Sequence, residues 1–127
     1  MDGFVRCLQQ YDDYICLGGV SADSIENAEN TLGVKFSIEY KEYLETCGMA
    51  TANGHEFSGI GKSSRLSVVE MTTALRNKVN IPNEMYVIEK LCIDGIVVTQ
   101  IEDGTVYQVY PNGDSTKIAD SLEMYLI

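Results

Sequence analysis

The sequence predicts an α+β fold: helices packed on a mostly antiparallel sheet that contains a C-terminal meander, closed by a short C-terminal helix. Three observations predict it. Apolar residues recur at helical spacing through much of the first eighty positions. From Met85 the period changes to two, in runs 85–92, 96–101 and 105–110 separated by Asp94-Gly95 and Asp103-Gly104. Those dipeptides suit type I′ hairpin turns, whose two central residues both need positive φ. Third, the helices and strands are segregated along the chain instead of alternating as βαβ units.

Each element has a local reason. Phe4, Val5, Leu8 and Tyr11 give a short amphipathic helix that Leu17-Gly18-Gly19-Val20 breaks. Ser21 is an N-cap for a helix carrying Ile25, Ala28 and Leu32, and Gly33 ends it as a C′ glycine. Ser37 caps the next helix, where Tyr40, Tyr43, Leu44 and Cys47 form one core stripe and Glu39, Glu42 and Glu45 face water; Gly48 closes it. Residues 49–66 read as loop and short strand, with an Asn53-Gly54 turn before Phe57 and Ile60. Ser67 to Glu70 spells an S-x-x-E capping box, opening a helix with Val68, Met71, Leu75 and Val79 on one side that Pro82 keeps from continuing. Within the meander, Tyr107 and Tyr110 fall on opposite faces of one strand. Asn112-Gly113 turns the chain once more. Asp120 is expected to cap the last helix, with Glu123 at N3 as its reciprocal partner and Leu122, Tyr125 and Leu126 docking it.

The 127 residues read as one domain over 1–127, long enough to bury a core without metal or disulfide staples. An apolar share of 45% with 22% charged residues argues against long disorder. Nine basic and 19 acidic residues give a net charge of −10, which disfavours nucleic acid and anionic lipid as partners and suits a cationic one. The charge is uneven: net −7 over 1–56, +3 over 57–78 and −6 over 79–127. Met1-Asp2-Gly3 opens no export signal, and no run approaches the ~20 apolar residues of a spanning helix. A cytoplasmic protein is therefore expected, with Cys7, Cys16, Cys47 and Cys92 as reduced core thiols.

A search for chemistry finds little. The cysteine gaps contain no C-x-x-C, and neither H-E-x-x-H nor a second histidine accompanies His55, which reads as a loop histidine beside Gly54. Gly59-Ile60-Gly61-Lys62-Ser63 looks like the tail of a phosphate loop. Glu56 stands where the first glycine of that motif belongs, and its carboxylate would repel phosphate. There is no G-x-S-x-G, and no carboxylate pair stands out as a general acid and base. No enzyme activity, cofactor or metal is expected.

One segment carries a family pattern. Glu29-Asn30-Thr31-Leu32-Gly33-Val34-Lys35-Phe36-Ser37-Ile38-Glu39-Tyr40-Lys41-Glu42-Tyr43-Leu44 resembles the signature of the SUKH superfamily, the Smi/Knr-type domain. There a helix ends in E-x-x-L-G, a Leu-Pro step follows, and the next helix reads Y-K-x-F-L before a glycine. Glu29, Leu32, Gly33, Tyr40, Lys41, Leu44 and Gly48 match it. Phe36-Ser37 replaces Leu-Pro, Tyr43 and Leu122 replace phenylalanines, and Met49 replaces a second glycine. Pro82 before Val87-Ile88, Asp94-Gly95 and Ala119-Asp120-Ser121-Leu122 extend the likeness from about Gly18 to Leu126.

The resemblance implies a SUKH-like fold and a non-catalytic role. Many bacterial members are immunity proteins that bind and neutralise a cognate polymorphic toxin, often a nuclease; fungal relatives are regulatory scaffolds, which is the alternative reading. The expected partner is then a toxin protein with a basic active-site cleft, occluded stoichiometrically by this acidic chain. The meander tips are the expected contacts: Glu102 and Asp103 at one end, with Tyr107 set opposite Gln100 nearby in simple hairpin register, and Asp94 at the other end.

Overall fold

The computed structural model describes residues 3–61, 65–91 and 93–127. Among them run α1 (Phe4–Leu8), β1 (Ile15–Cys16), α2 (Ala22–Leu32), α3 (Ile38–Cys47), β2 (Ala50–Ala52), β3 (His55–Phe57), α4 (Val68–Lys78), β4 (Tyr86–Lys90), β5 (Val97–Gln100), β6 (Val106–Val109), β7 (Ser115–Ala119) and α5 (Leu122–Leu126). The fold is α+β. The strands form two antiparallel sheets, ordered β1-β2-β3 and β4-β5-β6-β7.

The larger core joins α1, α2, α3 and α5 to both sheets through residues such as Phe4, Leu44, Phe57, Ile88, Val98, Val106 and Leu122. A smaller core packs Met71 and Leu75 of α4 against Met85, Val87, Val97 and Val109. The four-stranded sheet thus has helices on both faces. Ser58 joins the two sheets: its N–H donates to the Ile88 carbonyl at 2.7 Å and its hydroxyl to the Val87 carbonyl at 2.6 Å.

The caps at Ser21, Ser37 and Ser67 are formed as the sequence predicts, each hydroxyl accepting the N–H three residues on. Gly33 adopts φ 68°, ψ 33°, the left-handed conformation that glycine takes without a Cβ penalty. The residues carrying the family pattern brace the α2–α3 joint. Buried Glu29 accepts the Phe36 N–H at 2.8 Å and pairs with Lys41 at 3.7 Å, while Arg76 of α4 donates to the Leu32 carbonyl at 2.8 Å.

Several expectations need correction. The last helix is capped by Ser121, whose hydroxyl accepts the Met124 N–H; Glu123 is then the second helical residue, not N3 to a capping Asp120. The meander has four strands, not three. The additional one, β7, is an exposed edge strand of mixed polarity, so period two leaves no clear mark on it. The β2–β3 hairpin has Asn53 and Gly54 at φ 51° and 77°, and Asp94 and Gly95 stand at 53° and 71°, as a type I′ turn requires. At Asp103-Gly104 only the glycine has positive φ. There Gly104 donates to the Ile101 carbonyl and Ile101 to the Thr105 carbonyl, giving a three-residue loop. The extra residue shifts the register, so Tyr107 faces Thr99 and Gln100 faces Val106.

Of the cysteines, Cys47 is buried, Cys7 half-buried and Cys16 exposed, so Cys16 is not a core residue as expected. Cys92 lies outside the described residues. So do Lys62 and Ser63 of the phosphate-loop resemblance, whose Gly59 has a packing reason: a Cβ there would stand 1.7 Å from the Gly48 carbonyl oxygen.

Candidate functional site

The β5–β6 tip borders an acidic cleft of about 450 Å³ between α3, α5 and the chain start. Glu39 and Glu42 come from α3, Glu102 and Asp103 from the tip, and Asp120 and Glu123 from the entry to α5. Among the described residues lining it there is no lysine or arginine. Ile38, the first residue of α3, is 77% exposed at its wall.

Buried hydrogen bonds build this cleft. Gln100, fully buried, donates its amide to Glu39 Oε1 at 3.0 Å and to the Gly104 carbonyl at 2.9 Å, holding the tip against α3. Its own Oε1 accepts from Ser37 Oγ at 3.0 Å and from the Tyr86 hydroxyl at 2.8 Å. The Glu39 carboxylate also accepts the Leu122 N–H at 2.7 Å and the Glu123 N–H at 3.1 Å. A carboxylate at the first turn of α5 satisfies two of its orphan donors and complements the helix dipole. Glu39 therefore does not simply face water, as the stripe pattern suggested. At the tip, the Thr105 N–H donates to Asp103 Oδ1 at 2.9 Å and holds that carboxyl below the usual range. Lys117 on β7 approaches Asp120 at 2.6 Å, and its ammonium titrates above the usual lysine range for that reason.

Glu102 and Asp103 are thus brought together with four further carboxylates. Tyr107 is not among them: it packs with Ile101 against the smaller core, on the other face of the sheet. Asp94 sits in the β4–β5 turn, at the opposite end of the meander. Reasoning from sequence missed Ile38, Glu39, Glu42, Asp120 and Glu123. One signal was present, since Ile38 lies on the helical face opposite the Tyr40–Tyr43–Leu44–Cys47 stripe.

A second titratable cluster lies apart from the cleft. His55 Nδ1 meets Glu89 Oε1 at 2.6 Å, and the Tyr125 hydroxyl donates to the same oxygen. His55 is therefore a half-buried strand residue stacked on Phe57, not a loop histidine. The hydrogen bond to Glu89 raises the imidazole pKa against the opposing effect of burial, while burial first and Glu89 second push the Tyr125 phenol up. Among the described residues, no group of three His, Cys, Asp or Glu side chains is placed to hold a metal ion, and no helix is long and apolar enough to cross a membrane.

The SMI1-KNR4 cell-wall family, SUKH_5, matches residues 1–127. No curated protein matches the chain.

Proposed function

This chain belongs to the SUKH superfamily, of the SMI1-KNR4 kind, and we propose that it is a bacterial, cytoplasmic immunity protein that binds a cognate toxin, a nuclease by preference, and occludes its active site. The family supports a protein-interaction domain of the immunity-protein kind, and its members are generally non-catalytic. The observation that carries the finer reading is the acidic cleft. A nuclease concentrates positive charge where its phosphodiester substrate binds, and a preformed cleft with six carboxylates complements such a surface. Ile38 supplies an exposed apolar contact within that charged field.

We place the contact on Glu102 and Asp103 together with Ile38, Glu42 and Glu123. A partner that fills the cleft reaches Tyr107 only by wrapping onto the other sheet face, and Asp94 only by spanning the meander. The test is co-expression with the protein encoded by the adjacent gene. Expected are rescue from its toxicity and a 1:1 complex on gel filtration. Isolation of a non-toxic regulatory enzyme as the stable partner would instead support the scaffold reading.

A further inference from the structure

Beside β1, the segment 17–20 and the end of α3 are pressed together backbone to backbone. A Cβ on Gly19 would stand 1.7 Å from the Glu45 carbonyl oxygen, and one on Gly48 would stand 2.3 Å from the Gly18 carbonyl oxygen. Only residues without a Cβ permit that approach. The Leu17 N–H donates to the Met49 carbonyl at 3.0 Å and the Val20 N–H to the Leu44 carbonyl at 3.1 Å, pinning it on both sides. One result is that Cys16, in β1, stands beside Cys47, the last residue of α3, with its sulfur 4.0 Å from the Cys47 carbonyl oxygen. The Cys16 thiol also lies 3.6 Å from the Thr46 carbonyl oxygen. The Tyr14 hydroxyl stands 3.4 Å from Cys47 Sγ.

The two thiols differ in ways that assign them roles. Cys16 is exposed and Cys47 is fully buried. Partial desolvation pushes the Cys16 thiol up, but hydrogen bonds from Tyr14, the Gly18 N–H and Cys47 together outweigh it and hold the pKa below the usual value. Burial pushes Cys47 up to about 11, against the Tyr14 hydrogen bond and with a contribution from Cys16 itself. An accessible sulfur at the surface, beside a sheltered second thiol, is the arrangement of an attacking and a resolving cysteine.

We propose that Cys16 and Cys47 form a dithiol pair oxidised by peroxide, in which Cys16 is attacked first and Cys47 resolves it into a disulfide. The Cys16 thiolate attacks one oxygen of hydrogen peroxide and the O–O bond breaks. Sulfur becomes a sulfenic acid, and the departing hydroxide is protonated to water. Neutral Cys16 no longer opposes ionisation of Cys47. The Cys47 sulfur then bonds to the Cys16 sulfur, the S–OH bond breaks, and that hydroxide leaves as water with the Cys47 proton. Two thiols lose two electrons and one peroxide becomes two waters. The disulfide fastens the two-residue edge strand β1 to α3 across the segment carrying α2.

The experiment treats the full reduced chain with stoichiometric hydrogen peroxide, then alkylates it under denaturing conditions and maps it by mass spectrometry. Cys7 and Cys16 share the tryptic peptide 7–35, so the mapping is repeated in Cys7→Ser. Expected is a cross-link between peptides 7–35 and 42–62 that persists in Cys7→Ser, vanishes in Cys16→Ser and is reversed by dithiothreitol. In Cys47→Ala, dimedone should capture Cys16 as its sulfenic acid adduct. In the untreated protein, Cys16 should alkylate roughly tenfold or more faster than Cys47. Should Cys47→Ala fail to fold, wild type, Cys7→Ser and Cys16→Ser decide the matter. A Cys16 that remains alkylatable after peroxide, or a bridge that joins Cys7 to Cys47, would overturn the proposal.

Discussion

At Glu89 one irregularity in β4 decides the fate of a charge. Val87 pairs with Thr99 but Glu89 pairs with Val98, so the strand is bulged at Ile88. The bulge lets Ile88 enter the larger core while Glu89 also turns to that side, where His55 and Tyr125 hold its carboxylate. Strict alternation places neighbouring residues on opposite faces, which is why the contact was not legible in the sequence. The pair has a pH signature. The folded imidazole pKa is raised above its ordinary 6.5, chiefly by the hydrogen bond to Glu89. Its stabilisation is therefore fully present below the unfolded value and is lost as pH rises through the raised one. The melting temperature should fall as pH rises from the ordinary imidazole value of 6.5 through the raised one for wild type, and less steeply for His55→Gln. Parallel curves for the two proteins would assign His55 no such role.

Among the elements, α5 depends most on one distant side chain. It has five residues, too few to be stable alone, and two of its first N–H groups end on Glu39 of α3. Glu39→Ala leaves those donors and one Gln100 amide hydrogen without the carboxylate, and should cost about 1–3 kcal/mol in urea unfolding. Glu39→Gln should fall between, since its amide retains one accepting oxygen. A wild-type midpoint for Glu39→Ala would remove this carboxylate from the account of α5. Elements of this kind divide what was legible from what was not. Three helices carry a serine cap where local pattern predicts one, because capping is settled within four residues. Three strands of the meander followed from period two. The strand β7 and the turn at Asp103 did not, because an exposed edge strand has no buried face to pattern and Asp-Gly is compatible with more than one turn. The cleft was legible only at Glu102 and Asp103, since its other walls meet them through contacts spanning about eighty positions of the chain, such as Glu39 with Leu122.

For the whole molecule, the question is whether a net charge of −10 acts diffusely or through one place. The sheet separates the possibilities. Its β5–β6 tip closes on α3 and α5, collecting six carboxylates around Ile38, whereas Asp94 turns the chain at the other end. Diffuse charge would steer a cationic partner whatever acids were changed, in proportion to the total. A localised field responds to position. Glu102→Lys with Asp103→Lys changes the net charge from −10 to −6, and so does Asp12→Lys with Glu26→Lys, two exposed acids that line no part of the cleft. Local docking requires the first pair to slow association with the partner markedly more than the second, with melting temperatures of both near wild type. If the tip acids become desolvated in the complex, the first pair also accelerates dissociation and costs about 2–5 kcal/mol of affinity. Ile38→Ser leaves the charge alone and should act on dissociation, by about 1–2 kcal/mol if the side chain is a buried anchor. Raising salt from about 0.05 to about 0.5 M shortens the Debye length from above ~10 Å to well below ~8 Å and should slow wild-type association while leaving the tip variant less affected. Equal effects of the two charge pairs would mean that the total charge is what matters; salt-independent association would remove electrostatic docking from the account.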